Sequence, residues 1–182
     1  MSLSSFNFQH NHFQLFGLQQ SFKLDTAQLQ LELAFRALQA QVHPDKSAHL
    51  ADVEQRLAMQ RSTLVNEAYQ TLKSPIKRAR YLLSLHGVDT QEETNTAMPV
   101  DFLMVQMEWR EAVGVAVQAR DVAALEQQET RMKAEARKLE AALEVKMDVE
   151  HDYDVAAQLV RKLRFMEKLA EEINSAYDEI DS

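Results

Sequence analysis

Helix-breaking residues occur at only six positions, and their scarcity constrains the fold more than any other feature. Among the 182 residues, the glycines and prolines are Gly17, Gly87, Gly114, Pro44, Pro75 and Pro99. Proline removes a backbone donor and glycine lowers helix stability, so the segments between these positions are free to form long helices. Leu, Ala, Gln and Glu, which favour helices, are abundant in those segments. The sequence therefore predicts an all-α protein.

Composition excludes several classes of function. Hydrophobic residues make up 46% of the chain, which suits a globular protein and not general disorder. Because cysteine is absent, disulfides, thiolate-held clusters and cysteine catalysis are excluded for this chain. No run approaches the length of a membrane span, and residues 1–20 lack the features of a signal peptide. We expect a cytoplasmic protein that does not insert into a membrane and binds no metal or other cofactor.

The charge distribution argues against a nucleic-acid partner. The net charge is −8, and residues 97–182 account for all of it, with 11 Lys/Arg and 19 Asp/Glu. Binding to phosphate backbones requires clustered cations, which this acidic half does not offer.

The start of the chain predicts a short helix after an irregular terminus. Residues 1–11 are polar and unpatterned, so we expect them to be flexible, with His10 and His12 as exposed side chains rather than metal ligands. The apolar stretch 12–18 contains Gly17, which is typical of the position just after a helix end.

The next pattern predicts an antiparallel helical hairpin. Asp25 followed by Gln28 is a variant capping box. One helix face then carries Leu31, Phe35, Leu38 and Val42, and a second helix carries Leu57, Leu64, Ala68 and Leu72. Between them, His43-Pro44-Asp45 must lie in a loop, because proline disfavours helix in the residue before it. A loop at the tip of such a hairpin presents a rigid motif to a partner.

Prolines and polar segments divide the rest. Ser74-Pro75 predicts the N-cap and first turn of a connecting helix, 75–86, which ends at Gly87 and completes a first domain, 1–87. Residues 88–98 predict a linker. Three further helices, about 99–118, 121–146 and 152–180, predict an antiparallel three-helix bundle over 99–182. The middle helix carries one apolar stripe, composed of Leu125, Met132, Leu139 and Leu143.

The first bundle helix carries two apolar stripes instead of one. One contains Phe102, Val105, Trp109, Val113 and Ala116; the other contains Leu103, Met104 and Met107. A small bundle needs one stripe per helix, so the second is surplus. It is either a binding surface, for which adaptable methionine is well suited, or part of a larger core or a dimer interface.

The last helix carries one continuous stripe and one aromatic outside it. Its stripe comprises Leu159, Leu163, Met166, Ala170, Ile173 and Tyr177. Phe165 lies about 120° from that stripe at the helical repeat of 100° per residue. The pattern alone indicates only a contact at the edge of the bundle for Phe165.

Several of these motifs together resemble a known family. The short Phe/Leu element, the hairpin and His43-Pro44-Asp45-Lys46 resemble a J-domain. Six further motifs occur in the order found in HscB-type co-chaperones of iron–sulphur cluster biogenesis. They are Leu15-Phe16-Gly17-Leu18, Ala79-Arg80-Tyr81-Leu82-Leu83, Leu85-His86-Gly87, Asp101-Phe102-Leu103-Met104, Arg110-Glu111 and Val160-Arg161-Lys162-Leu163-Arg164-Phe165. The resemblance covers residues 12–180.

The resemblance implies a co-chaperone that is not itself an enzyme. Its J-domain would contact an HscA-type (DnaK-like) chaperone and stimulate its ATPase through His43, Pro44, Asp45, Lys46 and Arg36. Its bundle would bind an IscU-type cluster scaffold through Leu103, Met104, Met107, Glu108, Glu111 and Phe165. The alternative is a general J-domain holdase that binds many unfolded clients through the same methionine-rich face.

Two departures from the family pattern bear on these surfaces. Val115 stands one turn beyond Glu111, where the family can carry an acid, and Gly114 is expected to interrupt the helix beside it. Arg36 is the only cation on the helix before His43, so electrostatic steering toward the chaperone is expected to be weak.

Overall fold

The computed structural model describes residues 7–24, 27–42, 51–90 and 99–181, and every regular element in these ranges is a helix. The predicted all-α class is therefore confirmed. The chain divides into two compact units, Met1–His86 and Gly87–Ser182. Each has its own buried apolar core.

The first unit contains α1 (His12–Leu15), α2 (Ala27–Val42), α3 (Asp52–Lys73) and α4 (Pro75–Leu85). α3 packs against the other three helices. Near the end of α3, Tyr69 stacks on Phe35 of α2 with ring centroids 3.9 Å apart, and its hydroxyl donates to Glu32 at 2.9 Å. Since Glu32 lies near the start of α2, the two helices run antiparallel, which confirms the predicted hairpin.

Local signals at the helix ends account for most of the boundaries in this unit. Ser74 Oγ accepts a hydrogen bond from the Lys77 N–H at 3.4 Å, and Pro75 is the first residue of α4. Gly17 and Gly87 follow the ends of α1 and α4 with φ values of 66° and 75°, a region that glycine enters at little cost. These three expectations are confirmed. The predicted cap at Asp25 lies outside the described residues.

His12 departs from its predicted exposure. Its ring stacks on Tyr81 of α4 with centroids 4.1 Å apart, and its backbone N–H donates to Tyr81 Oη at 3.0 Å. Phe13 next to it is fully buried, and this anchor holds the start of α1 against the unit. The expectation of an exposed side chain is therefore wrong for His12, although His10 is exposed.

The second unit is a three-helix bundle of α5 (Val100–Ala119), α6 (Val122–Glu144) and α7 (Tyr153–Asp181), in which each helix packs against the other two. All four predicted α6 stripe residues, Leu125, Met132, Leu139 and Leu143, are buried. A π-helical turn, Val145–Val149, extends α6 and buries Met147 on the same side. The sequence pattern did not predict that turn.

Gly114 does not interrupt α5, contrary to the expectation. The helix continues from Val100 to Ala119. Glycine in a helix interior costs only about 0.5–1 kcal/mol relative to alanine. The buried neighbours Trp109, Val113 and Ala116 hold this segment against the bundle and offset that cost.

The buried face of α7 is wider than the predicted stripe and rotated from it. Val160, Leu169 and Ala176 are buried, whereas Leu159, Ala170 and Tyr177, which the pattern placed on the buried face, are only partly buried. α7 packs against both α5 and α6, so two adjoining sectors of its surface leave solvent. A single-stripe interpretation misses the second sector.

The first residues of the predicted linker are held against α7. Thr90 is 9% exposed, and its carbonyl accepts a hydrogen bond from Arg161 Nη1 at 3.1 Å. The rest of the predicted linker, from residue 91 to 98, lies outside the described residues.

Candidate protein-binding surfaces

The surplus apolar stripe of α5 lies on the surface of the bundle. Leu103, Met104 and Met107 are 40%, 59% and 72% exposed. Four residues of the first stripe are buried in the core, namely Phe102, Trp109, Val113 and Ala116, whereas Val105, which the pattern placed on the same stripe, is 36% exposed. The possibility that both stripes lie in the intramolecular core is therefore excluded.

Two valines lengthen this surface beyond the predicted residues. Val100 and Val115 are 73% and 59% exposed. They lie four residues before Met104 and four residues after Glu111, so they fall on the same helix face. The predicted stripe of Leu103, Met104 and Met107 did not include Val100, although its i, i+4 spacing to Met104 places it on the same face. We call Val100, Leu103, Met104, Met107 and Val115 the α5 stripe.

Two carboxylates accompany the stripe. Glu108 and Glu111 are exposed, and neither has an ion-pair partner among the described residues. Beside the stripe, Arg110 forms an ion pair with Glu172 of α7. Arg110 donates one hydrogen bond from Nη2 at 3.0 Å and two from Nε at 3.1 and 3.2 Å. Glu108 and Glu111 are thus available to a cationic partner, whereas Arg110 is already paired.

Phe165 lies beneath this flank and not on the stripe. It is 6% exposed and meets Phe102 edge to face, with ring centroids 5.6 Å apart. The Arg110 guanidinium lies 5.3 Å from its ring centroid. Phe165 is therefore the one predicted scaffold-binding residue that the structure does not bring to the surface.

The hairpin tip is bounded by described residues but is not itself described. α2 ends at the buried Val42 and α3 begins at Asp52, so His43, Pro44, Asp45 and Lys46 lie outside the described residues. Arg36 is 76% exposed in its side chain and lies 3.9 Å from the Glu32 carboxylate one turn earlier.

Burial and charge shift the proton affinity of a few groups. Burial beside Tyr81 lowers the pKa of His12 below 6.5, opposed by the negative charge of Glu67.

Among the described residues, no cluster of His, Cys, Asp and Glu is arranged to hold a metal ion. Over the same ranges, none of the helices combines the length and the apolar character that crossing a membrane requires.

Comparison with known proteins extends these observations. The family model for the HSCB C-terminal oligomerisation domain matches residues 98–174. A co-chaperone protein HscB homolog from Aromatoleum aromaticum is 48% identical over 178 residues, covering 98% of this chain and 99% of its own. Another, from Chromobacterium violaceum, is 53% identical over 174 residues, covering 96% and 97%.

Solved structures agree with the sequence relatives. Chaperone HscB from Vibrio cholerae superposes with a TM-score of 0.82 at 38% identity, covering 94% of this chain and 99% of its own. The crystal structure of human co-chaperone protein HscB gives a TM-score of 0.85 at 31% identity, covering 93% and 83%.

An all-α fold in which a J-domain hairpin is followed by a three-helix bundle with an exposed apolar surface is the architecture of a co-chaperone. The degree and extent of the sequence identity identify the family within that class. The chain belongs to the HscB family of co-chaperones, and this membership implies a role in iron–sulphur cluster biogenesis.

Proposed function

We propose that this protein is a two-ended adaptor that joins an IscU-type cluster scaffold to an HscA-type chaperone in the cytoplasm. The bundle binds the scaffold, and the J-domain stimulates the chaperone's ATPase. The observation that carries the proposal is the α5 stripe, because a solvated surface of adaptable methionines suits a protein partner, and so do the adjacent carboxylates, which have no ion-pair partner among the described residues. Family membership supports the identity of both partners.

On the scaffold side, Leu103, Met104 and Met107 supply the apolar contact, and Glu108 and Glu111 supply the charge. Apolar burial provides affinity, and the carboxylates at the edge favour a correctly oriented, cation-bearing partner. Phe165 contributes to scaffold binding indirectly, because its ring packs against Phe102 in the first turn of α5.

On the chaperone side, His43, Pro44 and Asp45 contact the ATPase domain, with Lys46 and Arg36 beside them. Asp45 supplies a carboxylate for an arginine of the chaperone, a charge-assisted pair. Holding both partners on one chain raises the effective concentration of the scaffold at the chaperone's substrate site.

Single-turnover ATP hydrolysis by the HscA-type chaperone tests the proposal. The adaptor and the scaffold are added separately and together. We expect synergistic stimulation, which Asp45→Ala abolishes while scaffold binding persists. Glu54→Ala, a loss of charge on the exposed first turn of α3, is the matched control and leaves stimulation unchanged.

The same assay separates the alternative. A general holdase would stimulate equally with any unfolded peptide, and a reduced, unfolded protein would compete with the folded scaffold for the α5 stripe. Absence of stimulation by the folded protein would overturn the adaptor function altogether.

A further inference from the structure

A groove between α5 and α6 adjoins the α5 stripe. The turn between the helices is tight, since Arg120 closes α5 in the left-handed region with φ of 50° and Asp121 caps α6. The floor of the groove is made of alanines. Their small side chains let the two helices approach each other and leave the groove open to solvent. The alanines are Ala112, Ala116 and Ala124.

Carboxylates surround this floor on both helices. Glu108 and Glu111 line it from α5, and Asp121 lines it from the start of α6. Asp121 Oδ1 accepts a hydrogen bond from the Ala124 N–H at 3.0 Å, so its position is fixed by the cap. No Lys or Arg of the described part of the chain lines the groove, and the three carboxylates therefore act together on whatever enters it.

One residue that lines the groove, Gln128, has a buried polar atom without a partner among the described residues. This atom is the acceptor Oε1. A buried acceptor left unpaired costs about 1–3 kcal/mol. A donor that entered the groove would satisfy it.

We infer that this groove receives a lysine or arginine side chain of the scaffold. The apolar stem of such a side chain suits the alanine floor, and its cationic head suits the three carboxylates and Gln128 Oε1. Val115, 59% exposed, belongs to both the α5 stripe and the groove, so one partner can cover both continuously. This inference rests on the proposed scaffold binding and adds a second anchor to it.

Titration calorimetry with the purified scaffold tests the groove. Asp121→Asn removes the charge and keeps the helix cap, because asparagine caps equally well. We expect it to weaken binding about threefold to tenfold and to make the affinity less sensitive to salt. Glu126→Gln, an exposed loss of charge on α6 outside the groove, is its control and changes affinity less than about twofold.

Two further variants test the shape of the groove and the role of the unpaired acceptor Gln128 Oε1. Ala124→Leu fills the floor and is expected to weaken binding about tenfold, whereas Ala123→Leu, one residue away and outside the groove, has little effect. Gln128→Met keeps the length of the side chain and removes the acceptor, and it weakens binding without lowering Tm. Gln128→Met keeps the proposal testable if the leucine variant fails to fold.

The outcomes separate this inference from the proposed function. If groove variants bind like the wild type while Met104→Ser loses affinity, the groove is unoccupied and the adaptor function stands. If the wild type does not bind the scaffold, both fail. A double-mutant cycle of Asp121→Asn against single lysine and arginine substitutions in the scaffold must show coupling to one cation; uniform additivity would overturn the inference.

Discussion

The Phe165 ring stands edge to face against Phe102, with centroids 5.6 Å apart, and so links α7 to the first turn of α5. Edge-to-face pairs contribute about 0.5–1.5 kcal/mol beyond their buried area. The exposed residues Leu103 and Met104 follow directly on the same turn. The pair therefore fixes the backbone that presents the stripe.

Phe165→Ala is expected to destabilise the bundle by about 3 kcal/mol, because it removes a buried ring and leaves a cavity. Urea unfolding followed by Trp109 emission measures this loss, since Trp109 is the only tryptophan and lies buried in the bundle. Phe165→Leu, which keeps most of the volume, should lose less. Unchanged stability combined with lost scaffold affinity would instead mean that Phe165 contacts the scaffold directly.

Met104→Ser and Met107→Ser are expected to leave stability within about 0.5 kcal/mol, because both side chains are largely in water. Scaffold affinity should fall by about tenfold for each, the loss that follows when an apolar contact at an interface centre is removed. Val149→Ser is the matched control, since Val149 is 70% exposed but lies in the π-helical turn. Equal losses from all three substitutions would contradict a localised binding surface.

Gly114→Ala is expected to stabilise the protein by about 0.5–1 kcal/mol, because α5 is regular there and an added Cβ meets no atom within 4 Å. Gly87→Ala provides the contrast. Its surroundings are equally open, but its φ of 75° strains any side chain, so the same substitution should destabilise by about 1 kcal/mol. Chemical denaturation of both variants checks the opposite signs.

Acidification is expected to weaken the first unit through His12. Burial lowers its pKa in the folded state below the ordinary 6.5, so below pH 6.5 the unfolded chain binds more protons than the folded one. The contribution to stability is complete above pH 6.5 and is lost as the pH falls through the lowered pKa.

His12→Phe keeps a ring against Tyr81 and removes the titration. Its Tm should therefore fall less than that of the wild type between about pH 7.5 and about pH 5.5. His10→Gln, at an exposed histidine, should follow the wild type. Parallel Tm curves for the wild type and His12→Phe would contradict this assignment.

Local chemistry made the helices and their ends predictable, whereas long-range packing decided what the pattern missed. Ser74-Pro75 and Gly87 act within a few residues, so their roles follow from the sequence. The stacking of His12 on Tyr81 joins residues 69 positions apart, and nothing in the terminal segment signals it. The rotated face of α7 has the same origin, because a one-stripe pattern does not encode contact with two neighbouring helices.

The candidate site divides in the same way. Periodicity separated the α5 stripe from the core because a regular helix assigns each residue a direction. Phe165 needed the resemblance to enter the site, and its burial depends on the position of α5 against α7. The roles of His43, Pro44 and Asp45 remain predictions from the motif.

The reverse face of α5 also has a consequence for the kinetics of association. Trp109, Val113 and Ala116 fix the backbone beneath the stripe, so a partner does not have to fold this segment in order to bind. The conformational entropy that this surface loses on association is then confined to the rotamers of a few side chains, mainly those of the two methionines. Encounter should therefore proceed without a slow conformational step on this side of the complex, and the lifetime of the bound state should set its affinity.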